Sequence, residues 1–263
     1  AARRHLDRPV QGRARSRRRA ARQWPFRNRH LEPHAAAATA LAFTNAPTRY
    51  VMVFDMGAGT VDIAAFEFDE STEPPALGEV KEARQCSALA GDEIDRILAE
   101  LYMRKRGGEK SREDELRLRR TIILAIRDLK RELFTTGRCS LKTGWMATTI
   151  RANDLMEDQN FRTYLTALRE TVAASLQRVV ARAEATGADV VDVVLAGGGS
   201  RLPFMVELVQ SAGAMRPSNV KLRVGPLSPA NPLYSSVDAS LRDAFPQIAM
   251  SIGGALVEMM PAQ

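Results

Sequence analysis

At 263 residues, 45% of them hydrophobic and 26% charged, the chain is long enough to bury a real core, as one large domain or two modest ones. Its net charge of +7 belongs to one end: residues 1–34 hold eleven Arg against Asp7 and Glu32, a local +9, and residues 35–263 sum to −2. No apolar run approaches the ~20 residues that cross a bilayer. The three His (His5, His30, His34) all precede residue 35, so the body carries no His-built triad or zinc site, and Cys86 and Cys139 stand apart without a CxxC. Both thiols are expected to be reduced and buried, in a cytoplasmic protein.

Residues 1–30 read as disordered or spurious. Three origins stay open for them: a basic arm, a targeting segment around Ser16-Arg17-Arg18-Arg19, or translated sequence upstream of the true start. The segment lacks the interleaved aromatics of a nucleic-acid stacking surface, so no nucleic-acid partner is expected. Leu31–Phe43, Ala-rich with Pro33 near its start, reads as a helix.

Tyr50–Phe54 is nearly continuous in apolar residues, as suits a strand covered on both faces, and Thr60–Phe68 reads as its hairpin partner. The bend between them, Asp55-Met-Gly-Ala-Gly-Thr-Val-Asp62, carries a carboxylate at each end and two glycines that permit positive φ and close approach of a ligand to backbone amides. It is neither the dinucleotide fingerprint, which needs a third glycine and a following helix, nor a P-loop, since no Lys occurs before residue 81. On these residues alone it reads equally as a phosphate grip and as a Gly-rich turn with two solvated aspartates.

Ala76–Leu89 is expected to be extended. A helix follows over about 92–105, capped by Asp92 or Gly91 and closed by Gly107-Gly108. A charge-rich helix over 110–134 directs Leu116, Ile122, Ile123, Ile126, Leu129 and Leu133 to a core, with Lys130 and Arg131 near its C-terminus as partners of the helix dipole. Strands near 138–142 and 145–150 precede a helical tract from about Asn153 to Thr186, interrupted at Asp158. Val190–Ala196 is a buried strand, and Gly197-Gly198-Gly199-Ser200-Arg201-Leu202-Pro203 turns it into a helix running to about Ala212. That turn is an anion-binding edge on physical grounds, although such turns also occur without ligands. Lys221–Val224 is a short strand, 226–232 a loop, and Phe245–Met260 a last helix.

Four motifs in this order resemble the heat-shock 70 chaperone family. FDMGAGTVD is similar to its second phosphate motif FDLGGGTFD, and VVLAGGGSRLP to its adenosine motif VLVGGSTRIP. ALAGDEID resembles LGGEDFD, and LEPHAAA resembles NEPTAAAL, the first interdomain connection; Ile248–Val257 stands at the place of the second. The resemblance spans about residues 31–260. It implies an α/β fold, one RNase H-like half of the actin-like ATPase fold, with a mixed sheet flanked by helices and an inserted α+β lobe. The lobe proper would take residues 31–106 and 151–263, and the insertion residues 107–150.

The resemblance also implies roles. Amides of Gly57, Ala58, Gly59 and Thr60 hold the β- and γ-phosphates of ATP or ADP. Asp55 binds the shell of a magnesium ion or orients the attacking water, with Asp62 and Glu32 further out. Gly91 approaches the phosphates, and Gly197, Gly198 and Gly199 line the adenosine pocket. KRELFTT is similar to KRTLSSS, which puts Lys130 on the ribose and Arg131 and Arg201 on the two adenine faces. Two residues depart from the family: Arg127 stands in place of a Glu, and Phe134 in place of a Ser. The family's first phosphate motif, Asp-Gly-Thr-Thr, is absent from the sequence. The chain is therefore expected to be a truncated ATPase half, hydrolytically incompetent alone, whose missing first lobe is its intramolecular partner. Clients and co-chaperones would act through the intact parent. A non-enzymatic interaction module and an actin-like filament or segregation ATPase are the alternatives on the same fold.

Overall fold

The computed structural model describes residues 49–69, 76–107, 111–144, 146–215 and 217–226. Glu32, the expected helices at 31–43 and 245–260, and the loop at 227–232 lie outside these residues.

The continuous apolar run forms β1 (Tyr50–Met56), in which every residue but Asp55 is buried. It turns back antiparallel as β2 (Val61–Asp69), with Asp55 directly opposite Asp62. The Ala64–Ala65 pair does not break this strand; both residues are fully buried, where small side chains let other elements pack closely. The extended segment after it is interrupted: β3 (Ala76–Glu79) and β4 (Gln85–Ser87) both pair with β2, separated by a 3-10 turn over Lys81–Ala83.

Helix α1 (Gly91–Arg106) buries Ile94, Ile97, Leu98, Leu101 and Tyr102 on one stripe. Its N-cap is Ala90, and neither Asp92 nor Gly91 caps it through a side chain. Helix α2 (Arg112–Thr136) opens on Ser111, whose Oγ accepts from the Asp114 amide at 3.1 Å, and closes at Gly137 with φ +78°. Its buried stripe is Leu118, Ile122, Ile126, Leu129 and Leu133. Leu116 and Ile123 were expected there but are 50% and 65% exposed, because at 100° per residue each falls off a stripe spaced by three and four.

A two-stranded sheet follows, β5 (Arg138–Thr143) and β6 (Met146–Arg151), then the short α3 (Ala152–Met156). Asp158 interrupts the helical tract by capping α4 (Gln159–Ala185), its Oδ1 accepting from the amides of Asn160 and Phe161. Strand β7 (Val190–Ala196) then lies parallel to β1 on the side away from β2. A 3-10 turn (Gly198–Arg201), α5 (Met205–Gly213) and β8 (Lys221–Pro226) complete the described residues. The main sheet runs β3-β2-β1-β7-β8, with β4 sharing the β2 edge.

One apolar cluster joins both sheets, from Phe54 and Leu195 to Leu133, Cys139 and Ile150. Cys139 is buried and accepts from the Tyr102 hydroxyl at 3.0 Å; burial pushes its thiol above the usual range despite that bond. Cys86 is exposed, contrary to expectation, because it lies on the short edge strand β4. Below the sheet, Glu67 accepts from Arg49 at 2.8 Å and from Arg182 at 3.2 Å, joining the start of β1 to the end of α4.

Candidate functional site

The β1–β2 pairing ends at Met56 and Val61, leaving Gly57–Thr60 as a fully exposed turn. The Gly57 amide closes that turn on the Thr60 carbonyl at 2.9 Å and is therefore not offered outward. Among the described residues the amides of Ala58, Gly59 and Thr60 have no partner. Neither Gly57 nor Gly59 adopts positive φ; what their missing side chains supply is access.

The carbonyls of the same turn cap α1. The Gly91 amide donates to Gly57 O at 3.2 Å, and the Asp92 amide to Ala58 O at 2.7 Å. Two of the helix's orphan donors are satisfied in this way, without a capping side chain. A Cβ on Gly91 would come within 3.2 Å of Gly57 O and 3.3 Å of Lys130 Nζ, so glycine is what lets turn, helix and lysine meet.

Lys130 is not a solvated dipole partner. Its Nζ donates to the Gly91 carbonyl at 2.9 Å and pairs with Asp95 Oδ1 at 2.8 Å, both side chains being largely buried. Asp95, a carboxylate among the apolar residues of α1, is a site residue that the sequence reading passed over. Its position on the buried stripe beside Ile94 was the available signal.

The glycine turn after β7 approaches from the opposite side. Gly197 has φ +74° and ψ 177°, and a Cβ there would fall on Asp55 Oδ1 and lie 2.5 Å from Met56 O. Its carbonyl accepts from Ser200 Oγ at 2.7 Å, which closes the turn. The expected turn over 197–203 and the helix after it are both present. Pro203 holds Leu202 extended, at φ −67° and ψ 130°, so only the 3-10 turn faces the site and α5 begins at Met205.

These pieces surround one cleft of about 690 Å³. The hairpin turn contributes Gly57 and Ala58, and α1 contributes Gly91, Asp92 and Asp95. The second helix contributes Arg127, Lys130, Arg131, Phe134 and Thr135 along one wall. The wall across from it is Gly198, Gly199, Arg201 and Leu202. Gly59, Thr60 and Gly197 do not line the cleft, and neither do Asp55 and Asp62, which face each other at the foot of the hairpin. Asp92, Thr135 and Leu202 are lining residues that lie within the quoted motifs but were given no site role.

The electrostatics are uneven. Lys130 is neutralised by Asp95, whereas Arg127 has only Asp92, at 4.0 Å, and Arg131 has Asp128, at 3.3 Å. At the other end the lining is apolar. Phe134 packs on Phe204 with ring centroids 5.9 Å apart, and Phe204 in turn meets Phe161 edge-on at 5.8 Å. The cleft thus offers the Ala58 amide, guanidinium groups and an aromatic end, a donor set that suits an anionic ligand with a flat apolar part.

The sheet order, the antiparallel hairpin beside two parallel strands and the flanking helices define one RNase H-like half of the actin-like ATPase fold. The sequence profile of the family described as Hsp70 protein matches residues 29–221. Among curated proteins, the chaperone protein HscA of Cronobacter sakazakii (strain ATCC BAA-894) is 29% identical over 182 residues, as is HscA of Enterobacter sp. (strain 638). Each alignment covers 69% of this chain and 27% of the relative, so the chain spans about a quarter of the length of the relatives it matches. HscA of Citrobacter koseri is similar over the same extent. The chain belongs to the Hsp70 family.

Proposed function

We propose that this chain is the adenine-nucleotide-binding half of a chaperone ATPase, taking ATP or ADP with magnesium in the cleft between the hairpin turn and the glycine turn. The observation that carries the reading is convergence: Gly57, Gly91, Lys130 and Gly198, spread over more than half the sequence, line one cavity. In this reading the free amides of Ala58, Gly59 and Thr60 take the terminal phosphates, Lys130 the ribose, and Arg131 and Arg201 the two faces of the base. Phe134 and Leu202 close the apolar end.

The fit to a hydrated magnesium ion rests on the foot of the hairpin. Asp55 and Asp62 sit directly opposite each other across the two strands, and carboxylate oxygens are the ligands that magnesium and its water shell accept. When bound with the nucleotide, magnesium supplies neutralisation of phosphate charge through its water shell. Asp55 and Asp62 would orient that shell, and Glu32 would stand further out.

Phosphoryl transfer requires donors on both sides of the phosphates. The sequence holds one phosphate hairpin and no Asp-Gly-Thr-Thr motif, so this chain by itself binds nucleotide without turning it over. Residues 107–150 act as the inserted lobe carrying the α2 wall. Clients and co-chaperones engage the whole assembly in the cytoplasm. No helix among the described residues is long and apolar enough to cross a membrane.

Titration calorimetry with Mg-ATP tests the reading. Binding that Asp55→Asn weakens and Gly198→Val abolishes is the expected result. No heat at millimolar ATP from a folded chain would overturn it in favour of a non-enzymatic module.

A further inference from the structure

Three cations crowd one turn of α2 where it faces the cleft. Arg127, Lys130 and Arg131 are spaced i, i+3 and i+4, and all three line the cavity. Like charges at this spacing destabilise a helix, and two arginines earlier on α2 offset the cost with acids one turn back. Arg119 pairs with Glu115 at 2.9 Å and Arg117 with Glu113 at 3.7 Å, each one turn back along the helix. Arg127 has no such neighbour: the residues three and four before it are Leu124 and Ile123, and those three and four after it are Lys130 and Arg131.

Across the gap, Asp92 stands at 4.0 Å, beyond hydrogen-bonding reach, and Asp95 is taken by Lys130. The Arg127 side chain is 75% exposed, so its guanidinium is available to a ligand in the cleft. The hairpin amides, the candidate grip for the terminal phosphates, belong to another element. A second, separate anionic group is what the α2 cluster is suited to hold.

We infer that Arg127 forms a phosphate subsite beside the ribose, so that the cleft prefers adenine nucleotides carrying an additional phosphate on a ribose hydroxyl. The inference rests on the nucleotide reading above, with Lys130 beside the sugar and Arg127 one turn further along the same wall. The phosphate would lie against the Arg127 guanidinium, which can bind it through two parallel hydrogen bonds.

The test compares three probes by calorimetry on the full chain without magnesium: AMP, ADP, and AMP phosphorylated on the 3′ or the 2′ hydroxyl. The ribose-phosphorylated compounds should bind at least about tenfold more tightly than AMP, as a charge-assisted bidentate contact implies. In Arg127→Glu, with folding verified by circular dichroism, that ratio should fall below one while the ADP-to-AMP ratio does not fall with it. A ratio near one in the unmodified chain overturns the subsite. So does an equal fall of both ratios, since that reports only the general field of the added carboxylate. If none of the three probes nor ATP binds, the nucleotide reading itself fails and the inference goes with it.

Discussion

Replacing Gly197 by Ala tests how the glycine turn is fitted against the central strand. At φ +74° and ψ 177° the residue occupies a backbone region that side chains essentially never enter, worth about 1–3 kcal/mol of strain. The added Cβ would also lie 2.5 Å from Met56 O and 2.8 Å from Met56 C, on the strand that pairs with β7, and backbone cannot rotate out of the way. Overpacking of this kind costs about 1–3 kcal/mol more, so the total is about 2–6 kcal/mol against a native stability of about 5–15 kcal/mol. Gly187→Ala is the control. Its φ is +72°, but nothing lies within 4 Å of the added atom, so only the backbone cost of about 1 kcal/mol remains. With a urea slope of about 2 kcal/mol per molar, Gly197→Ala should lower the unfolding midpoint by about 1–3 M and Gly187→Ala by about 0.5 M. Equal shifts in the two variants would refute the crowding between the glycine turn and β1.

Lys130→Met removes the partner of Asp95 and the donor to Gly91 O while keeping the side chain's length. Urea unfolding should show a loss of about 1–3 kcal/mol, most of it recovered when Asp95→Asn is added, and strictly additive effects would mean the pair is not coupled. At Glu67, burial raises the carboxyl pKa, but hydrogen bonds from Tyr50, Arg49 and Arg182 outweigh it and hold the group below its ordinary 4.5. A lowered folded-state pKa gives stability that is present above about pH 4.5 and lost as pH falls through the folded value. Glu67→Gln should therefore flatten the acid limb of the stability profile below that pH, and an unchanged limb in urea midpoints taken from about pH 6 to pH 3 would rule the group out as its source.

The central strands were legible because burial on both faces writes a continuous apolar run. Val190–Ala196 was bounded to the residue in this way, and Tyr50–Phe54 fell two residues short because Asp55 interrupts the run. The second helix was legible from its apolar spacing to within two residues at each end, and the interruption at Asp158 was placed, although the caps Ser111, Gly137 and Asp158 were not read as such. Side-chain direction on α2 was not legible, because six Leu and Ile residues from 116 to 126 leave the stripe underdetermined without the packing partner. Leu116 looked like core and Leu118 proved to be. The turn after β7 was legible through Pro203, and α5 begins two residues later. Of the candidate site, the glycines at both ends of the cleft were found by motif. Asp95 was missed because a carboxylate on a buried stripe acquires meaning only when Lys130, from another helix, reaches it.

The hairpin turn shows how one local structure can cap a helix and still leave amides free. In a trans peptide the carbonyl and the following amide point opposite ways. The carbonyls of Gly57 and Ala58 are committed to α1, accepting from the Gly91 and Asp92 amides, and this aims the Ala58 and Gly59 amides away from that helix. The Gly57 amide, bonded to Thr60 O, fixes the curvature that keeps the two aligned. The amides are thus preorganised by the same bonds that cap the helix, and no ordering cost remains to be met when an anion arrives. Gly91 is needed at the contact for the same reason, since a side chain there would press on Gly57 O and Lys130 Nζ and push helix and turn apart. The α2 wall depends on a different link: at the cleft it is tied to α1 through Lys130, and below that through apolar packing of Ile122 and Ile126. A ligand bridging the turn and α2 would therefore span one joint made of backbone bonds and another made of one lysine's polar contacts over apolar packing.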